Sequence, residues 1–163
     1  MEAISKAYGK FSKLINEIVR ILCIIFFVIM VIDVLMSVVM RYILVKPMVW
    51  GEQLAIYCMI WVGFLASSIA FRKGAHMGLD IVVKAVPRKV QIAIQVFAHV
   101  LIITFLAVLT VWGFIHSYAV RLQISPVVFD LSMSWFYLAL PVGGICMLVQ
   151  EVEVIINGAE EDV

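Results

Sequence analysis

The chain has 163 residues, of which 65% are apolar and only 14% charged, and its mean hydropathy is +1.14. An ordinary soluble domain carries about 25% charged residues, so this composition excludes a soluble protein. The net charge of +1 gives no indication of nucleic-acid binding. Four apolar stretches each exceed the ~20 residues that a helix needs to cross ~30 Å of hydrocarbon. They are Val19–Met40, Trp50–Phe71, Ile92–His116 and Trp135–Ile156. We therefore predict an all-α integral membrane protein, one membrane domain over residues 1–163.

Residues 1–17, ahead of the first span, show an amphipathic helical pattern. Lys6, Lys10 and Lys13 occupy one side, while apolar residues recur on the other at intervals of three and four. Because the polar pair Asn16–Glu17 interrupts the apolar pattern, we predict a separate interfacial helix with its lysines toward anionic headgroups. The alternative is that these residues extend the first span. The apolar face consists of Ile4, Ala7, Tyr8, Phe11, Leu14, Ile15 and Ile18.

Asp33 is the one acidic residue well inside an apolar span. An aspartate at the centre of a membrane helix costs about 2.5–3.5 kcal/mol on insertion scales, so this carboxyl group requires compensation. Asp33, Ser37 and Arg41 follow one another at four-residue steps and share a helix face, so Ser37 or a water molecule could link Asp33 to Arg41. We expect a structural or assembly role for Asp33, with proton or coupling-ion transport as the alternative.

The later spans carry small residues and polar stripes. In span two, Gly63 with Ser67 and Ala66 with Ala70 follow the small-xxx-small spacing of helix contacts. In span three, Gln91, Gln95 and His99 share a face and require partners on another helix or subunit. In span four, Pro141 predicts a kink, Gly143–Gly144 predicts a close contact, and an acidic tail follows at residues 157–163.

Lysine and arginine residues indicate the orientation in the membrane. Only Arg41, Lys46 and Arg121 lie in the first and third connections. The positive-inside rule therefore places both termini and the second connection in the cytoplasm. The other nine lysine and arginine residues lie in the N-terminal flank and in the second connection. They are Lys6, Lys10, Lys13, Arg20, Arg72, Lys73, Lys84, Arg88 and Lys89. Aromatic residues near the opposite ends of the spans form a predicted interfacial belt of Tyr42, Trp50, Trp112, Tyr118, Trp135 and Tyr137.

Short motifs at the span ends resemble the small membrane subunit of tripartite ATP-independent periplasmic (TRAP) transporters. The resemblance covers the length, the four-helix order and the inferred topology of the whole chain. The family commonly has two adjacent acids after the tryptophan of span two, and here the second position is Gln53, which leaves Glu52 alone. The motifs are Arg41-Tyr42, Trp50-Gly51-Glu52-Gln53-Leu54, Arg72-Lys73-Gly74-Ala75-His76, Asp80, Trp135-Phe136-Tyr137 and Leu140-Pro141-Val142-Gly143.

The resemblance implies a sodium-coupled secondary transporter in the bacterial inner membrane. A periplasmic binding protein would deliver an organic acid, such as a C4-dicarboxylate or sialic acid, to a large multi-span membrane subunit that holds the substrate and sodium sites. This chain would scaffold that subunit and need no cofactor of its own. We expect Arg72, His76 and Asp80 to form a cytoplasmic turn with Lys73. On the outer side, Arg41, Glu52 and Asp130 are the expected contacts with the binding protein.

Other functional classes have less support in the sequence. A phosphate-binding glycine loop, a nucleophile with a base at motif spacing and a metal-ligand cluster are all missing, so we predict that the chain is not an enzyme. A haem-anchoring subunit would need a second histidine at the depth of His99, whereas His76 and His116 lie at span ends. A small proton-coupled exporter that uses Asp33 as its carrier acid is the alternative function.

Overall fold

The computed structural model describes residues 2–46, 48–72, 87–125 and 132–161, and these ranges are predominantly helical. In chain order the helices are α1 (Glu2–Tyr42), α2 (Gly51–Arg72), α3 (Arg88–Ala119), α4 (Ser134–Tyr137) and α5 (Ala139–Glu161). The described ranges contain four segments long and apolar enough to cross a membrane, with α4 and α5 together forming the fourth. The predicted all-α fold with four spanning segments is thereby confirmed.

The N-terminal amphipathic segment is part of α1 and does not form a separate helix. The helix runs without interruption from Glu2 through Asn16 to Tyr42, which corrects the predicted break at Asn16–Glu17. Glu17 is tolerated there because it lies on the exposed surface and pairs with Arg20 at 2.7 Å. At ~1.5 Å per residue the 41 residues of α1 span ~61 Å, about twice the thickness of the hydrocarbon. The structure thus supports the alternative in which this segment extends span one.

The spanning helices alternate in direction and are arranged around α5. Ser12 near the start of α1 and Arg72 at the end of α2 both contact Glu153 near the end of α5. We call this the terminal end of the bundle and the opposite end the distal end. Helix α2 packs against α1 and α5, and α3 packs against α5. In the most hydrophobic part of the last span, 44% of the residues are buried within the protein, whereas in the first span only 6% are. Helix α5 therefore forms the centre of the bundle.

The side of α1 that packs against the bundle is a narrow seam. Between Val19 and Met40 every residue that is not exposed follows alternating steps of four and three. This is the spacing of a coiled-coil seam, which here lies against α2. Phe26 in the seam stacks on Trp61 of α2 with 5.3 Å between ring centroids. The seam residues are Val19, Cys23, Phe26, Met30, Asp33, Ser37 and Met40.

Two of the predicted glycine contacts lie at helix interfaces. A β-carbon at Gly143 would collide with Phe64 of α2, and one at Gly144 would collide with Thr110 of α3. Gly63 makes no close contact with another helix of the described bundle, because a β-carbon there would meet nothing within 4 Å. All four small residues of the predicted span-two motif are exposed, so they do not mediate packing within the bundle: Gly63, Ala66, Ser67 and Ala70.

The interruption in the last span lies at Leu138, three residues before Pro141. Leu138 separates α4 from α5, and Pro141 occupies the first turn of α5, where a missing backbone N–H needs no helical partner. A β-carbon at Gly113 would lie 2.9 Å from Pro141 Cδ, so the glycine allows α3 to approach the proline ring. Pro141 is therefore a buried contact between α3 and α5, and the interruption lies in the turn before it, where a proline disturbs a helix because it has no N–H for the carbonyl four residues earlier.

Candidate functional site

A buried polar cluster at the terminal end joins three of the spanning helices through Glu153. Its carboxylate accepts a hydrogen bond of 2.5 Å from the Ser12 hydroxyl of α1 and one of 3.2 Å from the Arg72 guanidinium of α2. Gln150 Oε1 lies 2.9 Å from the same hydroxyl, whose single proton the two acceptors share, and Gln150 Nε2 donates to the Ser12 backbone carbonyl at 3.4 Å. Ser12 and Gln150 are fully buried, so these bonds are shielded from competing water.

The fourth spanning helix joins this cluster through His99. His99 Nδ1 lies 2.7 Å from Glu151 Oε1, and the Glu151 side chain is fully buried. The Tyr8 hydroxyl of α1 also donates to the Val149 backbone carbonyl at 2.9 Å. Residues 149–153 of α5 therefore hold polar groups from α1, α2 and α3 in one plane of the bundle. A polar group buried without a partner is expensive in a membrane, so these matched contacts select one relative arrangement of the helices.

The acidic members of this cluster were missed in the sequence. The prediction that Asp33 is the one acid well inside a span is wrong, because Glu151 and Glu153 also fall inside the predicted fourth span and are buried. The signal that could have identified them is the run Gln150-Glu151-Val152-Glu153-Val154, in which two acids alternate with valines inside an apolar stretch. An acid in such a position requires a polar partner from another helix.

A second polar site lies toward the distal end, where α1 meets α2. Asp33 is 6% exposed and, like Ser37, lies on the seam that faces Gly51. Beside it an open groove of about 580 Å³ runs between the two helices. Its walls are mainly apolar and include three methionines, and Arg41 and Glu52 lie at its polar rim. The groove is lined by Met30, Val34, Ser37, Val38, Arg41, Tyr42, Met48, Gly51, Glu52, Ala55, Ile56 and Met59.

The structure separates the predicted site residues into distinct groups. Arg72 and His99 belong to the terminal cluster, whereas Gln95 is exposed although it shares their end of the bundle. The predicted link from Asp33 to Arg41 through the Ser37 side chain is absent, because Asp33 Oδ2 and Ser37 Oγ have no hydrogen-bond partner among the described residues. His76, Asp80 and Asp130 lie outside the described residues.

The distal end carries the predicted aromatic residues. Tyr57 of α2 stacks on Phe136 of α4 at 3.5 Å between centroids, and His116 meets Tyr137 edge to face at 4.6 Å. Most of the predicted belt faces outward, as the exposed fractions of Tyr42 (76%) and Trp112 (67%) show. Such amphipathic rings are typical of a membrane–water interface. This end of the bundle therefore has the surface expected of an interfacial layer.

Comparisons with known proteins identify the kind of membrane protein. Residues 30–161 match the family described as tripartite ATP-independent periplasmic transporters, DctQ component. The chain is 23% identical over 117 residues to the sialic acid TRAP transporter small permease protein SiaQ of Vibrio cholerae, covering 72% of this chain and 67% of that protein. It is 26% identical over 121 residues to the sialic acid TRAP transporter permease protein SiaT of Haemophilus influenzae, covering 72% of this chain but only 19% of that protein. Because the family match extends over most of the chain, this protein belongs to the DctQ component family of TRAP transporters.

Proposed function

We propose that this small permease subunit is the fixed scaffold for the large, moving subunit of a sodium-coupled TRAP transporter. The observation that carries the proposal is the terminal cluster, in which Glu151 and Glu153 of α5 bond to side chains from the other three spanning helices. Alternating access requires one part to stay fixed while another moves. A bundle whose helices are joined by buried, matched polar contacts is suited to the fixed part.

The proposed substrate is an organic acid that a periplasmic binding protein delivers. Sialic acid is the first candidate, because the names of the Vibrio cholerae and Haemophilus influenzae relatives both specify it. A C4-dicarboxylate is the second. In this proposal the substrate and sodium sites belong to the large subunit, and the small subunit is not an enzyme and holds no cofactor. The similarity to part of a much longer permease supports a direct association with such a subunit.

The proposed location is the bacterial inner membrane, with both termini and the terminal end on the cytoplasmic side. Nine of the twelve basic residues in the sequence support this orientation, as the positive-inside rule requires. The exposed faces of Phe11, Leu14 and Ile18 would then contact lipid near the inner surface. The distal end, with Arg41 and Glu52, would face the periplasm and the binding protein.

Reconstitution of the transporter tests this function. The chain is tagged, purified from its native membrane with its associated proteins, and placed in liposomes with the binding protein and a sodium gradient. We expect a large multi-span subunit in about one-to-one ratio, and sialic acid uptake that requires sodium and both membrane subunits. Transport by this chain alone, abolished in Asp33→Asn, would instead establish the proton-coupled exporter. Recovery of the chain without a large membrane partner would also refute the scaffold proposal.

A further inference from the structure

Two buried oxygen atoms beside the distal groove have no hydrogen-bond donor among the described residues. They are Asp33 Oδ2 and Ser37 Oγ, one helical turn apart on the seam of α1. Asp33 is more than nine-tenths buried, and its Oδ2 atom is inaccessible to bulk water. A buried carboxyl oxygen without a partner is strongly unfavourable, and more so at membrane depth. These two positions therefore require a donor from outside the described part of the chain.

The groove provides a route by which such a donor can arrive. Ser37 lines it directly, and Gly51 is needed next to Ser37 because a β-carbon there would collide with the hydroxyl group. Met30, Met48 and Met59 also line the groove. Unbranched methionine side chains adapt to the shape of a partner and recur at protein-binding surfaces. The groove thus combines an adaptable apolar wall with the unsatisfied hydroxyl of Ser37, and Asp33 lies one helical turn before Ser37 on the adjoining seam.

We propose that a transmembrane helix of the large permease subunit packs into this groove and donates a hydrogen bond to Asp33 and Ser37. The proposal rests on the proposed function, because it assumes that the large subunit is the partner. A polar donor such as an arginine, lysine, asparagine or glutamine side chain would satisfy the acceptors. A buried polar contact of this kind would also fix the register of the two subunits, as a single polar residue does in a helical seam.

Depth and sequence similarity favour a protein helix from the large subunit over other occupants. Asp33 lies eight residues before Arg41, which places it ~12 Å farther along the helix from the groove rim. A lipid headgroup stays at the interface, whereas a helix can present a donor at this depth. The match to a 19% portion of the Haemophilus influenzae permease supports a larger permease region as the neighbour, and gives no such support to a second copy of this chain.

Photo-crosslinking on α1 tests which face meets the large subunit. Benzoylphenylalanine is introduced separately in place of Val34, which lines the groove, and Ile32, which lies about 160° around the same helix. The two positions are similarly exposed, at 46% and 56%, so they are a matched pair. In the assembled complex we expect at least tenfold more adduct with the large subunit from Val34 than from Ile32.

Three crosslinking results would overturn the proposal. The first is a yield of adduct with the large subunit that is equal or greater from Ile32 than from Val34. The second is an adduct from Val34 with a second copy of this chain, and the third is an adduct from Val34 with lipid alone. If the large subunit co-purifies but crosslinks elsewhere, the docking site is wrong while the proposed function stands. If no large subunit co-purifies with the unmodified chain, the proposed function itself fails.

Substitution of Asp33 tests the polar contact separately from the groove. Asp33→Leu should lower the fraction of large subunit retained on the tagged chain by roughly threefold to thirtyfold, and Asp33→Asn, which keeps a hydrogen-bonding oxygen, should retain most of it. Ser37→Ala provides a second variant if Asp33→Leu is not recovered from the membrane. Full retention of the large subunit by Ser37→Ala and by every recoverable Asp33→Leu preparation would exclude the proposed hydrogen bond.

Discussion

Glu153 is the residue on which most of the terminal cluster depends. Its carboxylate bonds to Ser12 and Arg72, so one side chain of α5 holds α1 and α2 together. The Arg72 and Glu153 side chains are only 19% and 8% exposed, respectively. Removal of one partner from such a pair leaves the other charge buried without compensation, which is more damaging than the loss of an exposed pair. At the scale of single residues, this buried pair is therefore the clearest determinant of stability.

Glu153→Ala should destabilise the purified chain by about 3–5 kcal/mol, because it leaves the Arg72 guanidinium unpaired in the bundle. Glu17→Ala is a matched control, since it also removes a glutamate that pairs with an arginine, but there both side chains are more than half exposed. The control substitution should lower the free energy of unfolding by at most about 0.5 kcal/mol. Unfolding in mixed micelles with increasing denaturing detergent measures both variants. Equal stability of the two would contradict the importance of the buried pair.

At the scale of helices, the continuity of α1 determines how the N-terminal segment contacts α5. Because the helix does not break at Asn16, Tyr8 and Ser12 remain aligned with the seam that continues to Met40. Of the predicted apolar face, Tyr8 contacts α5, whereas Phe11 and Leu14 point away from the bundle and are more than half exposed. One helix thus presents a polar face to α5 and an apolar face to its surroundings. This arrangement explains why the amphipathic pattern by itself suggested a surface helix.

Spin labels at Lys10 and Ile24 should report one narrow distance. Both residues are exposed, and their separation of 14 positions corresponds to ~21 Å in a continuous helix. A helix that turned perpendicular at Asn16 would bring them to ~15 Å. The measurement is pulsed electron paramagnetic resonance in lipid nanodiscs, with the three native cysteines replaced. A dominant population at the shorter distance would show that the segment separates from span one.

The close contact of α5 with α3 is expected to be sensitive to volume at Gly144. Gly144→Ala should destabilise the bundle by about 1–3 kcal/mol, because the added methyl group would collide with the Thr110 hydroxyl. Gly63→Ala is the matched control, since the space around Gly63 is open; it should be neutral or stabilise the helix by up to ~1 kcal/mol. Unfolding in mixed micelles again distinguishes them. A neutral Gly144→Ala would mean that α3 and α5 can separate at little cost.

At the scale of the whole molecule, the two ends of the bundle have different chemistry. The terminal end is held by buried polar contacts among all four spanning helices. The distal end has an open groove, exposed aromatic rings and the charged rim formed by Arg41 and Glu52. A bundle that is joined by buried polar contacts at one end and open at the other can hold its shape while it offers a surface to partners. The distal end is therefore where we expect contacts that affect transport rather than folding.

Combined substitution of Arg41, Glu52 and Asp130 by alanine should weaken coupling to the binding protein more than assembly. Arg41 and Glu52 are exposed, and exposed charges contribute mainly to encounter and to weak pairing, so we expect about a fivefold higher binding-protein concentration for half-maximal uptake. The amount of large subunit that co-purifies should stay unchanged. Uptake in proteoliposomes, titrated with loaded binding protein, provides the measurement. Unchanged uptake after all three substitutions would remove this role for the distal rim.

The sequence by itself determined the membrane class, the four spans and the family resemblance. Long apolar runs and short motifs are local properties, so they can be read without knowledge of which helices meet. The same is true of the glycine pair at Gly143–Gly144, whose packing role was confirmed. The sequence also indicated that Asp33 and His99 require partners, because a polar group within a span must be compensated.

Only the tertiary structure decided which polar residues meet and which small residues pack. His99 contacts Glu151 across 52 positions of sequence, and Ser12 contacts Glu153 across 141, so no local pattern could join them. Gly63 and Gly144 look equivalent in sequence, yet one faces open space and the other faces Thr110. Periodicity specifies a face of a helix but not its neighbour. The neighbour depends on how all four helices pack together, because each of them buries its polar side chains only against the others.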